Sequence, residues 1–341
     1  MSTAARARIP WHTIIIVALT AGLLWLFFRN IDLAETWRAM TRAHVSYLAA
    51  AVIATTTTYV LRAIRWCALL RPIGHVRFSQ SFRATVIGFT ALFLLPGRIG
   101  EVLRAYLVAR AEGLKFTATL ATVIIERLLD VATVLLMFAV SLPLLGVDVG
   151  PEVEAAGLVA GAGSVVALVL LFVMAGHPER LGRWAARLGR RLPHRIAGML
   201  EHLVQAFAEG LAVMRRPSDL LAAVAWSLPV WFSIAFGIWM TSHAFDLTLS
   251  FLGSFLVVGY LAVGVSIPTP GGAGGFHYFY KAALTTFFGA DPAVAAAAAI
   301  ILHAVSFVPI TILGLFFMWR DGLTLGRLRM MKDEAKAAET S

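Results

Sequence analysis

The feature that most constrains this chain is a series of apolar runs, each long enough to cross a lipid bilayer. A helix needs about 20 apolar residues to cover the ~30 Å hydrocarbon core. Inside that core every backbone amide must be hydrogen-bonded within the protein, so runs of this length without alternation predict helices and not barrel strands. We predict an all-α polytopic membrane protein. Its six spanning helices lie at about 11–29, 45–66, 117–142, 155–175, 219–243 and 293–319.

The composition agrees with a membrane protein. Of 341 residues, 59% are hydrophobic and 14% are charged, a charged share about half that of soluble domains. The net charge of +10 would suggest nucleic acid in a soluble protein. Basic loops on one side of a membrane explain the charge better, so we predict membrane lipids as partners and no nucleic acid. The single Cys67 excludes an internal disulfide and a multi-cysteine metal site.

The distribution of charge predicts the orientation. Arg6 and Arg8 precede the first run, four arginines cluster at the end of the second run, and the C-terminal tail is basic. The loop 146–154 is acidic and contains no Lys or Arg. The positive-inside rule then places both termini in the cytoplasm and this loop outside. We predict a multi-pass protein of the cytoplasmic (inner) membrane.

The chain reads as one transmembrane domain, 1–330, with halves at about 11–145 and 155–320. Between the later spans, residues 176–217 carry several arginines, with leucines and a tryptophan at helical spacing. That pattern predicts a basic helix lying on the cytoplasmic leaflet, held by apolar burial and attraction to anionic lipid. Residues 331–341 are predicted to be a disordered tail.

One apolar run stops too early to cross the membrane. Residues 83–95 would make about 20 Å of helix. Pro96 and Gly97 then break the helix, and residues 98–113 are amphipathic and charged. We predict a re-entrant hairpin in 83–113 that enters from the cytoplasm and returns there; a flanking interfacial loop is the alternative. Irregular backbone at membrane depth must be buried in protein or line a wet cavity, so a cavity is expected at the tip.

A second interrupted segment, 250–290, has a related sequence. PGGAGG (270–275) shares the pattern P-G-x-x-G-x with PGRIGE (96–101), and one long span follows each. Counting crossings, the second hairpin enters from outside. Interrupted segments in corresponding places of two halves indicate an inverted repeat and a transporter's binding site. Counting the second hairpin's arms as full crossings gives eight spans instead. The predicted hairpin tips are Pro96, Gly97, Gly100, Pro270, Gly271, Gly272 and Gly274.

The span 117–142 contains Glu126, Arg127 and Asp130, roughly 15–20 Å from its cytoplasmic start. Each uncompensated charge near the bilayer centre costs about 3 kcal/mol on insertion scales. The i, i+4 spacing puts Glu126 and Asp130 on one helix face. These side chains therefore need partners within the protein. The expected partners on the first hairpin are Arg98, Glu101 and Arg104.

Two interpretations of these charges remain open. They form an ion-pair network that only fastens the hairpin to the span, or they line a cleft for an anionic headgroup such as phosphate. Arg62 and Arg65 end the second span nearby and make the cleft net basic. His277 follows the second glycine tip, where a helix start presents free N–H groups to anions. The predicted substrate-binding residues are Arg62, Arg65, Arg98, Glu101, Arg104, Glu126, Arg127, Asp130 and His277.

Enzyme motifs are missing from the sequence. It has no H-E-x-x-H, no D-D-x-x-D, no Walker A loop and no G-x-S-x-G. Glu126 and Asp130 are conceivable Mg²⁺ ligands, but the interposed Arg127 disfavours that reading. We predict no catalytic residue, no metal and no cofactor.

Four motifs in order resemble a known family. They are LRAIRW (61–66), LPGRIGEVLR (95–104), IERLLD (125–130) and PTPGGAG (268–274). Together they resemble the lysylphosphatidylglycerol synthase transmembrane region family, also called the flippase-like domain, over about 10–320. The resemblance implies a polytopic bundle with re-entrant elements. Fused members translocate aminoacylated phosphatidylglycerol, and other members are linked to glycolipids, hopanoids or polyisoprenoid lipids.

Two departures from the family pattern qualify this resemblance. The residues after the last span are too few for the soluble aminoacyltransferase domain of the fused members. His277 replaces the family's usual acid after the second glycine motif. We therefore expect a translocase or flippase-like transporter for an anionic or glycosylated lipid. The alternatives are a membrane-embedded enzyme on lipid-linked substrates and an accessory scaffold bound to a lipid-synthesising enzyme.

Overall fold

The computed structural model describes residues 11–29, 31–95, 99–146, 150–175 and 217–323. These residues form eleven α-helices and no strand, as the sequence predicts for an all-helical membrane protein. In chain order the helices are α1 (Trp11–Phe28), α2 (Leu33–Arg42), α3 (Val45–Leu70), α4 (Phe78–Leu94), α5 (Ile99–Glu112), α6 (Phe116–Leu145), α7 (Pro151–Ala175), α8 (Pro217–Ala244), α9 (Gly253–Ser266), α10 (Gly275–Phe288) and α11 (Pro292–Arg320).

Five helices are long and apolar enough to cross a membrane: α3, α6, α7, α8 and α11. Helices α1 and α2 meet at 80° and make a sixth candidate span when taken as one bent unit. These six correspond to the six predicted runs. The G-x-x-x-G of α7 is a packing face, because Gly157 lies against Phe138 and Leu142 of α6 and Gly161 against Ala139.

Some predictions fall outside the described residues. They include the hairpin-tip residues Pro96 and Gly97, the neighbouring Arg98, and the tail 331–341. The basic segment predicted at 176–217 is also outside them, except for Pro217, which begins α8. These predictions stay predictions.

The first interrupted segment folds back on itself. Helices α4 and α5 pack together, and the Gly88 carbonyl oxygen occupies the position that a Cβ on Gly100 would need. Arg77, before α4, donates through Nε to Glu112 at the end of α5 over 3.2 Å. Both ends of this hairpin therefore lie at one face of the protein. The arms, with 17 and 14 residues, are about 25 and 21 Å long.

The predicted start of this hairpin at residue 83 was wrong by five residues. Helix α4 begins at Phe78. The charge on Arg83 is accommodated inside the helix because its guanidinium pairs with Asp321, just beyond α11.

The second interrupted segment has the same construction. Helices α9 and α10 have 14 residues each, about 21 Å, so the alternative of eight spans does not fit. A Cβ on Gly275 would run into the Gly264 carbonyl oxygen, and Gly253 at the start of α9 lies against Phe288 at the end of α10. The tip needs glycine, because Gly271, Gly272 and Gly274 have φ of 59°, 70° and 83°.

Helix α11 shows how the two hairpins are arranged. Asp291 caps its start, near the base of the second hairpin, and Asp321 follows its end, paired with Arg83 at the base of the first. Near its middle, Phe307 packs on Phe93 of the first hairpin with ring centroids 4.3 Å apart. His303, one turn earlier, bonds the Gly271 carbonyl oxygen through Nε2 at 2.9 Å. The hairpins therefore enter from opposite ends and their tips meet halfway along α11.

We expect Gly100→Ala and Gly275→Ala to destabilise the protein by about 1–3 kcal/mol each, because backbone occupies the space their Cβ would take. Thermal unfolding in one detergent measures the effect. The matched control is Gly163→Ala in α7, where no atom lies within 4 Å; alanine should be neutral or stabilising there. Equal stability of all three variants would contradict the close contact between the hairpin arms.

Candidate functional site

Helix α6 carries two buried carboxylates well inside its length. Glu126 is 0% exposed and Asp130 is 5% exposed. They lie about 15–20 Å along α6 from Phe116 by helical rise. An unpaired charge in such surroundings costs several kcal/mol, so the structure must supply cations to both.

Four arginines pair with these carboxylates. We call the six residues the ion-pair cluster: Arg62 and Arg65 of α3, Arg104 of α5, and Glu126, Arg127 and Asp130 of α6. Glu126 accepts from Arg65 Nη2 at 3.0 Å, Arg104 Nη2 at 2.6 Å and Arg127 Nη2 at 2.9 Å. Asp130 accepts from Arg62 Nη1 at 3.2 Å and Arg65 Nη1 at 2.8 Å, and pairs with Arg127 Nη2 at 3.0 Å.

Sequence reasoning missed the contribution of α8. Ser227 accepts a hydrogen bond from Arg65 Nη1 at 3.0 Å, and Trp231 donates through Nε1 to Asp130 at 3.0 Å. In the sequence, the only indication of this role is that each residue has a hydrogen-bonding side chain within an apolar span. They complete the cluster from a fourth helix.

Aromatic rings also contact the cluster. The Arg104 guanidinium lies over Trp66 at 4.7 Å from the ring centroid, and Arg62 lies 5.2 Å from Phe89. A desolvated guanidinium gains up to about 2 kcal/mol from such a ring. The rings therefore stabilise these two guanidinium groups in a region that has few acceptor oxygens.

The cluster has more positive charge than its own carboxylates balance. Four guanidinium groups face two carboxylates, which leaves two unmatched positive charges. Several guanidinium N–H groups correspondingly have no acceptor, and we call them idle donors. Arg104 is 2% exposed, and its Nε and Nη1 have no hydrogen-bond partner among the described residues. The Nε groups of Arg65 and Arg127 are buried without partners there too. This arrangement can accept a further oxyanion.

A small cavity lies beside these idle donors. It measures about 10 Å³, room for one water. Gly88, Gly100, Glu101, Arg104 and Arg127 are among its lining residues. The sequence predicted a cavity at the tip of the first hairpin, where residues 96–98 lie outside the described part of the chain. The small cavity lies between the hairpin arms, beside Gly88 and Gly100. It is narrower than the cleft we expected, because the arginines bond directly to the carboxylates. Glu101 lies at its wall and reduces the unmatched charge from two to one.

His277 lies apart from the ion-pair cluster in its contacts. Its ring packs on His303 at 4.6 Å and on Phe27 at 5.3 Å between centroids. Its Nδ1 is buried with no hydrogen-bond partner among the described residues. His277 therefore belongs to the second hairpin tip, together with Gly271, which His303 binds.

The carboxylates are poorly placed to hold a metal. Glu126 and Asp130 both direct their oxygens at guanidinium groups, which would repel a cation. Among the described residues no group of three or more His, Cys, Asp or Glu side chains could hold an ion. Mg²⁺-dependent chemistry at Glu126 and Asp130 is disfavoured on this geometry.

Comparison with known proteins covers most of this chain. The family profile described as "Lysylphosphatidylglycerol synthase TM region" matches residues 13–314, which include both hairpins and the ion-pair cluster. A UPF0104 membrane protein of Methanothermobacter thermautotrophicus is 25% identical over 320 residues, covering 88% of this chain and 91% of that protein.

A second relative is longer than this chain. The protein named Glycosyltransferase AglD, of Haloferax volcanii, is 28% identical over 341 residues. The match covers 88% of this chain and 53% of AglD, so the chain spans about half the length of that relative.

We expect Asp130→Asn to destabilise the protein by roughly 3–5 kcal/mol, because it leaves buried arginines without their counter-ion. The matched control is Glu112→Gln, which removes a carboxylate paired with the exposed Arg77 at the hairpin base and should cost about 1 kcal/mol or less. Denaturant unfolding in one detergent compares the two variants. Similar losses for both would mean that the cluster is not a stabilising centre.

Proposed function

Since the chain belongs to the lysylphosphatidylglycerol synthase TM region family, we propose that it moves an anionic or glycosylated lipid between the leaflets of the cytoplasmic membrane. The observation that carries the proposal is Arg104. It is buried at the meeting point of α3, α5 and α6, and two of its donor groups, Nε and Nη1, have no partner in the part of the chain that the structure describes. Idle guanidinium donors away from water are costly unless an acceptor visits them.

The chemistry of the cluster suits a phosphate-bearing headgroup. Guanidinium groups bind phosphate oxygens through paired, charge-assisted hydrogen bonds. A headgroup that reached the small cavity would accept from Arg104 and Arg127, and its negative charge would offset the surplus of the cluster. The Glu126 carboxylate would compete with the headgroup for the same arginines, and this competition keeps binding reversible.

The arrangement of the two hairpins provides a route along which the headgroup would move. Their tips meet near the middle of α11, and each is closed by a pair of glycines with backbone in direct contact. Contacts made by backbone and small residues allow one arm to shift against the other without unlocking large side chains. The headgroup would pass between the tips while the acyl or isoprenoid chains stay in lipid. Opposed broken helices at one depth are typical of alternating access.

An enzyme acting on lipid-linked substrates is the second candidate, because AglD carries the name of a glycosyltransferase. The described site offers little to such chemistry. Glu126 lies in hydrogen-bond or ion-pair contact with four arginines and Asp130 with three, so neither is a free general base. The accessory scaffold remains the third possibility, and the assay below separates the three.

We expect purified protein in liposomes to move a fluorescent anionic lipid between leaflets without changing it, as measured by dithionite quenching and thin-layer chromatography. Arg104→Gln and Arg127→Gln should each slow movement roughly tenfold or more, since a hydrogen bond to a charged group is worth about 1.5–3 kcal/mol. Arg42→Gln, at the exposed end of α2, should leave the rate unchanged.

The outcomes of this assay are distinct. A chemically modified lipid would support the enzyme instead. Inert vesicles with correctly folded protein would favour the scaffold. Movement that survives Arg104→Gln and Arg127→Gln together would remove the cluster from the mechanism while leaving translocation in place.

We also propose that the face bearing Arg77, Arg83 and Lys115 is cytoplasmic, since basic residues concentrate there. In a Cys67→Ser background, Thr248→Cys should react with a membrane-impermeant maleimide in intact cells. Lys115→Cys should react only after permeabilisation. Both positions are exposed. The reverse pattern would invert the topology, and labelling of both positions in intact cells would contradict the opposed hairpins.

A further inference from the structure

A larger cavity lies at the base of the first hairpin, apart from the ion-pair cluster. It measures about 370 Å³ and lies between α4, α5 and the end of α11. We call it the base cavity. Its size is within the range of small-molecule sites. Its wall is formed by Gln80, Arg83, Ala84, Ile87, Leu107, Arg110, Ala111, Asp321 and Leu323.

The charged side chains of the base cavity carry one more positive charge than negative charge. Arg83 pairs with Asp321, and their side chains are about a quarter exposed, at 27% and 26%. Arg110, in the last turn of α5, is exposed and makes no ion pair within the described part of the chain. Two cations and one carboxylate sum to +1. The Nε of Arg83 is also buried without a partner among these residues.

Asp321 shows which kind of group the cavity accepts. Its carboxylate reaches the Arg83 guanidinium from just beyond α11, so an oxyanion fits against that arginine. A phosphodiester has more acceptor oxygens than one carboxylate pair uses, and can bridge Arg83 and Arg110. Gln80 adds a polar side chain at the same wall.

The cavity is amphiphilic. Ile87 and Leu107 form part of its wall on the side towards the hairpin tip, while Arg83, Arg110 and Asp321 lie towards the base. Arg83 lies in the second turn of α4 and Asp321 directly after α11, so the charges sit at the level where these apolar helices begin and end. A headgroup bound there leaves its chains beside the apolar wall residues that are not buried, Leu107, Ala111 and Leu323, whereas a free anion would make no use of them.

We infer that the base cavity binds the phosphodiester headgroup of an anionic membrane lipid, with Asp321 as a built-in competing anion. The inference rests on the proposed function, for which it supplies a docking site at one membrane face. Ala84 and Leu107 of the base cavity are one helical turn from Gly88 and Arg104 of the small cavity. The base cavity and the small cavity are therefore one helical turn apart along both α4 and α5.

The test is binding of dioctanoyl phosphatidylglycerol to the full chain in detergent, measured by isothermal titration calorimetry. Asp321→Asn should tighten binding about fivefold, because a partly exposed ion pair worth up to about 1 kcal/mol no longer competes. Arg83→Gln and Arg110→Gln should each weaken binding about fivefold or more by the same arithmetic. Arg42→Gln on α2 is the matched control and should change nothing.

The comparison ligands identify the source of the anion. Dioctanoyl phosphatidylcholine, glycerol 3-phosphate and inorganic phosphate should all bind more weakly than the anionic lipid. Phosphatidylcholine carries the same phosphodiester beside a choline cation, so its equal binding would show that the negative charge of the headgroup is not recognised. Equal binding of either soluble phosphate would show a site for a free anion. Either result would overturn the inference. So would unchanged affinity in Asp321→Asn.

Folding and translocation are separated from this result. If Arg83→Gln does not fold, Arg110→Gln alters an exposed side chain and Asp321→Asn keeps the size of the side chain, so these two variants decide the question alone. The same variants are then assayed in liposomes. Tighter binding in Asp321→Asn with no translocation by the parent protein retains the base cavity and removes the proposed function. Translocation by the parent protein, together with unchanged binding in all variants, retains the proposed function and removes the base cavity as a lipid-binding site.

Discussion

The pairing of four arginines with Glu126 and Asp130 is the interaction on which the rest of this structure depends. Two carboxylates that far along an apolar helix are tolerated only if cations accompany them out of water. The cations come from α3, α5 and α6 itself, and α8 adds Ser227 and Trp231. The need to neutralise α6 therefore draws four helices to one point. It also fixes the first hairpin, because Arg104 can reach Glu126 only when α5 turns back beside α6.

Backbone contact provides the complementary constraint. Gly88 with Gly100, and Gly264 with Gly275, let the arms of each hairpin touch without side chains between them. Pairs of short helices that cannot cross the bilayer thereby fold into compact hairpins. Opposite entry along α11 brings the two hairpins tip to tip at its middle, where Phe93 of the first packs on Phe307 and Gly271 of the second binds His303. At the second tip the irregular backbone of Pro270–Gly272 is half-buried or exposed and is not enclosed in protein.

Stability and function draw on the same charges in this molecule. A network with equal numbers of acids and arginines would be satisfied and inert, whereas this cluster retains idle guanidinium donors beside a cavity the size of one water. The base cavity repeats the arrangement at the surface, with Asp321 occupying one arginine and leaving another open. Each site thus holds an internal anion, and under the proposed function a phosphate would compete with it, which suits passage better than tight retention.

The sequence by itself determined the fold class, the six spans and the two hairpins, because run length, helix-breaking residues and the cost of buried charge act locally. It also grouped Arg62, Arg65 and Arg104 with the carboxylates of α6, since lipid offers no other partner. The tertiary structure alone decided that α8 completes the cluster, that His277 joins the second tip, and that the cavity beside Arg104 is narrow. Those outcomes depend on which helix faces meet, and long-range packing fixes helix rotation where hydropathy is nearly uniform around the helix.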